Sequence, residues 1–332
     1  MTAFCFTGNR VKTAMIQASR KKALLIMGKT TLSEQYEALE KEFEILWLYK
    51  EKDPERLLQD RRNDIVAIVS VFAMPVSRTL IEALPNLEII AQYAVGYDNI
   101  DLEAARERGI MVTNTPDVLT DDTADTALSL LLAVSRRICE GDMYVRVGKW
   151  LNGSMPLGNS LGSKTAGIVG MGRIGQAITS RCAAFGMKIL YTGPRKKDGI
   201  SYDYEPDLEK LAEKADYLIL ACPGGAKTHH MVHAPILEAL GPKGFLVNIS
   251  RGSVVNEEDL ITALKNKKIA GAGLDVFANE PHVPEELIKM DNVVLLPHIG
   301  SATVETRAKM GQLVIDNLLA HFDGKPLLTP VT

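Results

Sequence analysis

Short apolar runs, each three to five residues long and each followed by a polar, helix-compatible stretch, set the rhythm of the first third of the chain. They fall at residues 23–27, 45–48, 65–69, 87–91 and 110–112, with a charged helical pattern over 34–42. Strands alternating with crossovers predict a small doubly wound α/β unit. A long helical pattern follows at 123–146, and its middle (ALSLLLAV) is apolar on nearly every side, which predicts either deep burial or a subunit interface. After a glycine-bearing connection at 148–162, strand and helix alternate again. Strands are expected at 166–169, 188–191, 217–221, 245–249, 273–277 and 293–296, the six of a dinucleotide-binding sheet. An amphipathic helix at 303–322 is expected to return to the first unit. The predicted fold is α/β with two doubly wound parallel-sheet domains, a Rossmann cofactor domain (120–300) inserted in a flavodoxin-like substrate domain (23–119 and 301–332). Residues 1–22 form an extension expected to be disordered.

Between the first strand of the second unit and its helix stands Gly167-Ile168-Val169-Gly170-Met171-Gly172-Arg173-Ile174-Gly175. Gly170, Gly172 and Gly175 make the G-x-G-x-x-G pattern: the first turns tightly, the second admits a pyrophosphate to the backbone, and the third lets helix and strand pack closely. The helix predicted at 173–185 aims its N-terminal N–H groups at that phosphate, and Gly186 suits a left-handed cap. Two other glycine segments do not qualify. Gly271-Ala272-Gly273 lacks a third glycine and leads directly into a strand, and Gly28-Lys29-Thr30 has Ala23 where a phosphate loop needs glycine.

Composition narrows the classes. With 332 residues, two domains are the prior. Apolar content of 46%, 24% charged residues and a net charge of −3 describe a globular chain with no reason to bind nucleic acid or an anionic membrane. Cys5, Cys139, Cys182 and Cys222 are widely spaced, which fits a reduced cytoplasmic setting and no metal site. The first 33 residues hold six Lys or Arg and no acid, faintly like a transit peptide, although an over-extended N-terminus with Met15 as alternative start is the plainer account.

Ligands of open α/β sheets bind beyond the carboxyl ends of the strands. Those ends carry the glycine loop, Thr192-Gly193-Pro194-Arg195-Lys196-Lys197, Cys222-Pro223, Ser250-Arg251-Gly252, Asn279-Glu280-Pro281 and Pro297-His298-Ile299-Gly300-Ser301. Arg251 offers a fork that can hold a carboxylate in two places, and His298 can give a proton to a carbonyl oxygen as hydride arrives at its carbon. Glu280, hydrogen-bonded to the imidazole, would favour its protonated, donating form. Singly, each has a duller explanation as a solvated or structural residue; their convergence on one sheet edge predicts catalysis. Cofactor contacts are expected at Gly170, Gly172, Arg173, Ile174, Gly175, Cys222, Pro223, Ile249, Ser250, Gly300 and Ser301. Phe72, in Val71-Phe72-Ala73-Met74-Pro75, is expected to line the substrate pocket.

These residues, together with Gly96-Tyr97-Asp98-Asn99-Ile100-Asp101, Asn114-Thr115-Pro116, Thr123-Ala124-Asp125 and Leu274-Asp275-Val276-Phe277, resemble the D-isomer-specific 2-hydroxyacid dehydrogenases over about residues 66–328. The nearest likeness is to the glyoxylate/hydroxypyruvate reductase branch, which includes 2-ketogluconate reductases. The resemblance implies Arg251 as substrate-orienting residue, His298 as proton donor and Glu280 as its partner. It also implies a substrate carboxylate held by the N–H groups of Val95 and Gly96 in an interdomain cleft. Asp275 would lie near the nicotinamide amide, Thr123 near the adjoining phosphate or ribose, and residues 123–150 in a homodimer interface where Trp150 either packs or reaches the neighbouring site. A formate dehydrogenase of this superfamily would pair its histidine with glutamine, where this chain has Glu280. A rival of another class is a cofactor-sensing interaction protein of the corepressor type.

The residues near the end of the second strand bear on the cofactor. NAD enzymes place an acid there for the adenosine ribose; here Thr192-Gly193 is followed by Arg195, Lys196 and Lys197, which suit a 2′-phosphate. NADPH is expected, with NADH possible, and the substrate is expected to be a small 2-oxoacid.

Overall fold

The computed structural model describes residues 21–30 and 36–332; residues 1–20 of the expected extension, and the start of the helix expected at 34–42, lie outside the described residues. Contacts divide the chain into two units, one running to Pro116 and resuming at Arg307–Thr332, the other Asp117–Thr306.

The first unit is a five-stranded parallel sheet of β1 (Ala23–Ile26), β2 (Glu44–Trp47), β3 (Ile65–Ser70), β4 (Ile89–Gln92) and β5 (Met111–Thr113). The order β2-β1-β3-β4-β5 is that of the flavodoxin-like doubly wound fold. β1, β3 and β4 are buried on both faces, which is why they appear in sequence as continuous apolar runs without alternation. The chain's end belongs here too. Pro330 bridges Thr113, Val331 N–H donates to Val112 O at 2.7 Å, and Phe322 packs edge-on against Phe43 at 4.9 Å.

The second unit is a seven-stranded parallel sheet, β6 (Thr165–Val169), β7 (Lys188–Thr192), β8 (Asp203–Tyr204), β9 (Tyr217–Leu220), β10 (Phe245–Asn248), β11 (Gly271–Leu274) and β12 (Val293–Leu295). Its order, β12-β11-β10-β9-β6-β7-β8, is the dinucleotide-binding order with one strand added beyond β11. Buried apolar residues on both faces of the sheet form the core.

Three details differ from expectation. β8, only two residues long, is too short to produce a hydrophobic pattern, so the sheet has seven strands where six were expected. The fifth expected strand, at 273–277, in fact runs Gly271–Leu274, so the glycines set aside as a decoy are the strand itself. They are needed for close helix approach: a Cβ on Gly273 would lie 2.9 Å from Leu130 Cβ, and one on Gly271 would lie 2.5 Å from Asn292 O and 3.1 Å from Val134. The single helix expected at 123–146 is two, Thr120–Arg136 and Ile138–Arg146, because Arg137 turns left-handed (φ 55°). Ser135 O accepts the Asn159 N–H at 2.8 Å instead of continuing the helix, and Arg137 is held by two bonds to Glu140 at 2.7 and 2.8 Å. The first of these helices buries Thr123, Ala124, Ala127, Leu130, Leu131 and Val134, while Leu128, Leu132 and Ala133 stay partly exposed.

Candidate active site

The glycine loop has the geometry that a dinucleotide requires. Gly170 sits at φ 100°, where a side chain is strained, and its Cβ would meet the Cys222 backbone at 2.8 Å. A Cβ on Gly175 would come within 2.0 Å of Gly170 O, so helix Arg173–Ala184 seats only on glycine. Gly172 is the opposite case, with nothing within 4 Å of a Cβ. That open space beside the first turn of the helix is what a pyrophosphate would occupy, so the loop fits the group. Arg173 and Ile174 lie in that turn, and the Arg173 guanidinium pairs with Asp117 at 2.6 Å. Cys222, leading into Pro223, walls the loop; burial pushes its thiol up to about 11.

Beyond β10 the chain turns on Asn248. Its Oδ1 accepts from Ser250 N–H and Oγ at 3.0 and 2.9 Å, and its Nδ2 donates to Arg251 O at 2.9 Å. Ile249 and Ser250 are buried within that turn. Gly252 then lets the segment after β11 come close, since its Cβ would overlap Phe277 C at 1.9 Å and Ala278 N at 2.4 Å. This contact brings Arg251 and Glu280 into one electrostatic neighbourhood. Sequence reading gave neither Asn248 nor Gly252 a role of its own, because the backbone contacts they serve leave no mark in residue type.

Glu280 bridges two partners. Oε1 accepts from Phe277 N–H at 3.1 Å and Oε2 lies 2.7 Å from His298 Nδ1. Burial raises the Glu280 carboxyl, but the hydrogen bond and charge of His298, the Phe277 N–H and the charge of Arg251 outweigh burial and hold it below its ordinary value. The pair is partly shielded, with 34% of the His298 side chain and 24% of the Glu280 side chain exposed.

Asp275, 1% exposed, organises the loop bearing His298. Its carbonyl accepts the His298 N–H at 2.9 Å, and its carboxylate accepts the N–H groups of Ile299 and Gly300 at 2.7 and 2.8 Å. Burial pushes this carboxyl up, and those two bonds oppose the rise. Gly300 lies against buried Thr123, its Cβ position 3.5 Å from Thr123 Cγ2, so Thr123, Asp275 and Gly300, with Ser301 next in sequence, form one cluster.

After β7 the turn bearing Arg195, Lys196 and Lys197 is exposed. It is pinned at both ends: Tyr204 Oη donates to Gly193 O at 2.8 Å and Lys197 N–H donates to Tyr191 Oη at 3.0 Å, with the two rings 5.3 Å apart. Among the described residues, no ion pair is formed by Arg195 or Lys196.

In the first unit, Phe72 follows β3 and Val95 and Gly96 follow β4. Thr115 N–H donates to Ala94 O at 2.9 Å and Asn114 Nδ2 donates to Val95 O at 2.8 Å. In a trans peptide the C=O and the following N–H point in opposite directions. The Val95 and Gly96 N–H groups therefore both face away from the 114–115 segment, and among the described residues neither meets an acceptor. Two parallel main-chain donors suit an anion.

Comparison with known proteins gives a consistent picture. Residues 128–300 match the family model described as D-isomer specific 2-hydroxyacid dehydrogenase, NAD binding domain. The chain is 50% identical over 293 residues to glyoxylate/hydroxypyruvate reductase A of Arabidopsis thaliana, covering 88% of this chain and 94% of that one. It is 50% identical over 252 residues to 2-ketogluconate reductase of Gluconobacter oxydans, covering 76% and 81%. Among solved structures, the NADPH-dependent glyoxylate/hydroxypyruvate reductase of Sinorhizobium meliloti, in complex with NADP and malonate, is 44% identical with a TM-score of 0.86, covering 95% and 97%.

Proposed function

The chain belongs to the D-isomer specific 2-hydroxyacid dehydrogenase family of NAD(P)-dependent enzymes, and from that premise we propose that it is an NADPH-preferring reductase of small 2-oxoacids, glyoxylate and hydroxypyruvate foremost. The observation that carries this reading is the 2.7 Å pair of His298 and Glu280, set at the sheet edge that also bears Arg251 and the glycine loop.

When bound, the nicotinamide supplies hydride to the keto carbon. Gly170, Gly172 and Gly175, with the first turn of the following helix, would receive the pyrophosphate, and Arg195 and Lys196 the 2′-phosphate. Val95 and Gly96 N–H groups hold the substrate carboxylate and Arg251 orients the oxoacid. His298 delivers the proton to the developing alkoxide from Nε2, since its bond to Glu280 commits Nδ1 and fixes the ring. Glu280, kept ionised, balances the imidazolium before transfer. The identity with a NADPH-dependent relative and the basic turn after β7 support the cofactor assignment.

The same reading takes the active form as a cytoplasmic homodimer. Trp150 is 68% exposed, Leu151 90% and Leu157 93%, along the segment after the helix break, and such apolar exposure suits a partner subunit. Among the described residues, no helix is long and apolar enough to cross a membrane, and no group of His, Cys, Asp and Glu could hold a metal ion. A turnover screen of glyoxylate, hydroxypyruvate, 2-ketogluconate and hydroxyphenylpyruvate with NADPH and NADH tests the proposal. Best turnover of a bulky acid would reassign the substrate, and cofactor binding with feeble turnover of every acid would favour a sensor.

A further inference from the structure

The loop that follows β4 is held from behind by side-chain amides, two of which, Gln92 and Asn99, commit both of their hydrogens. Gln92 is fully buried: its Oε1 accepts Ser70 Oγ at 2.5 Å, and its Nε2 donates to Gly96 O and to Asn99 Oδ1, both at 2.9 Å. Asn99 spends its two Nδ2 hydrogens on Val71 O and Met74 O at 3.1 and 3.2 Å, tying in the loop that carries Phe72. Asn114 holds Val95 O. Asn114 is itself clamped by the chain's end: Thr329 Oγ1 donates to Asn114 O at 2.7 Å, and buried Asn317 Nδ2 donates to Thr329 Oγ1 at 2.9 Å.

Three successive carbonyls, of Ala94, Val95 and Gly96, thus accept from Thr115 N–H, Asn114 and Gln92. Peptide planarity then turns each of the following N–H groups, of Val95, Gly96 and Tyr97, away from the donor that holds its own carbonyl. None of the three meets an acceptor among the described residues. Remove one rear donor and its peptide can rotate, carrying its front donor away.

We propose that Asn114 and Gln92 are positioning residues for substrate recognition. They hold no substrate themselves; they fix a nest of main-chain donors that distinguishes a 2-oxo carboxylate from an uncharged 2-oxo compound, and the Tyr97 N–H is its third donor. The proposal rests on the reading of Val95 and Gly96 as carboxylate donors.

The test compares kcat/KM for glyoxylate and for its methyl ester, with NADPH, in the wild-type chain and in Asn114→Asp and Thr329→Val. Asn114→Asp keeps the shape but has no hydrogen for Val95 O. Thr329→Val leaves Asn114 in place and removes only its clamp. In the wild type the anion should be strongly preferred. Asn114→Asp should cut that preference about tenfold or more, the scale of a lost bond with a buried acceptor left behind. The loss should fall on KM for the anion, with ester turnover and NADPH affinity unchanged, and Thr329→Val should follow in the same direction by a smaller factor. Should Asn114→Asp not fold, Thr329→Val carries the test. A wild-type preference retained in full by the variants overturns the positioning role alone, as does an equal loss on both substrates. A wild-type enzyme that uses ester and acid equally overturns the carboxylate reading beneath it, and the proposal with it.

Discussion

Beyond β3 and β4, the five-stranded unit presents main-chain donors held in place by the neutral amides Gln92, Asn99 and Asn114. Beyond β10, β11 and β12, the seven-stranded unit presents Arg251, Glu280 and His298: Glu280 is bonded to His298 and feels the charge of Arg251, while Asp275 holds the loop that bears His298. The two sheets share a doubly wound plan, and each sets these groups at its strands' carboxyl ends, where open α/β sheets take their ligands. They differ in what must be controlled. A donor that only recognises a fixed charge needs direction, which a peptide plane supplies once its carbonyl is tied. A group that moves a proton needs a protonation state as well, and that requires a partner charge.

The strongest way to break this contrast is to remove the imidazole. His298→Ala should lower kcat by about 10²–10⁴ if the imidazole is the general acid, with glyoxylate KM changed much less, measured by steady-state NADPH oxidation. Near-wild-type turnover would take His298 out of that role and leave the seven-stranded unit as a binding surface like the other.

A second effect separates the two kinds of chemistry by pH. Glu280 is held below its ordinary carboxyl value, so the stability contributed by its charge is complete above the unfolded glutamate value of about 4.3 and vanishes as pH falls through the folded value. Glu280→Gln should therefore destabilise the protein by about 1.5–3 kcal/mol near neutrality, the scale of hydrogen bonds to a charged group. Urea unfolding at stepped pH should find that difference shrinking on the acid side. The loss from Asn114→Ala should stay flat across the same range, because an amide does not titrate. A gap for Glu280→Gln that widened on acidification would contradict the sign of the shift.

What was legible in the sequence follows the same division. Arg251, Glu280 and His298 announce themselves by residue type at strand ends, and the glycine loop by spacing. Continuous apolar runs gave most of the strands, because parallel strands buried on both faces leave that trace. The proposed anion nest has no such signature: Val95 and Gly96 would act through backbone atoms that every residue possesses, and only the family resemblance pointed to them. Gly271 and Gly273 misled, because a glycine that admits Leu130 and Val134 looks in sequence like a turn. The break at Arg137 depends on Asn159 capturing the Ser135 carbonyl, a contact 24 residues away along the chain.

The basic turn after β7 offers a third way to sharpen the comparison. Arg195→Ala should lower the ratio of kcat/KM for NADPH over NADH by about tenfold, the worth of a charge-assisted contact to a phosphate. If NADH is already preferred, or the ratio does not move, the NADPH assignment goes.

The smallest expected effect is the one that joins the two units' logic. The basic turn carries charged side chains, yet neutral hydroxyls set its backbone: Tyr204 Oη on Gly193 O and Tyr191 Oη on Lys197 N–H. The two-residue strand β8, invisible as a pattern, places Tyr204 there by pairing it with Tyr191 in register. Tyr204→Phe keeps the ring against Tyr191 and deletes one bond, so it should relax the NADPH-to-NADH ratio by about two- to tenfold, the net worth of a single neutral hydrogen bond. Because nothing that contacts the oxoacid changes, kcat with saturating NADPH should hold. A variant that lost kcat and left the ratio alone would mean the tyrosine supports the sheet rather than the turn. A variant that relaxed the ratio would show charged and main-chain ligand contacts being aimed by the same means, a neutral group tying down the backbone on the side away from the ligand.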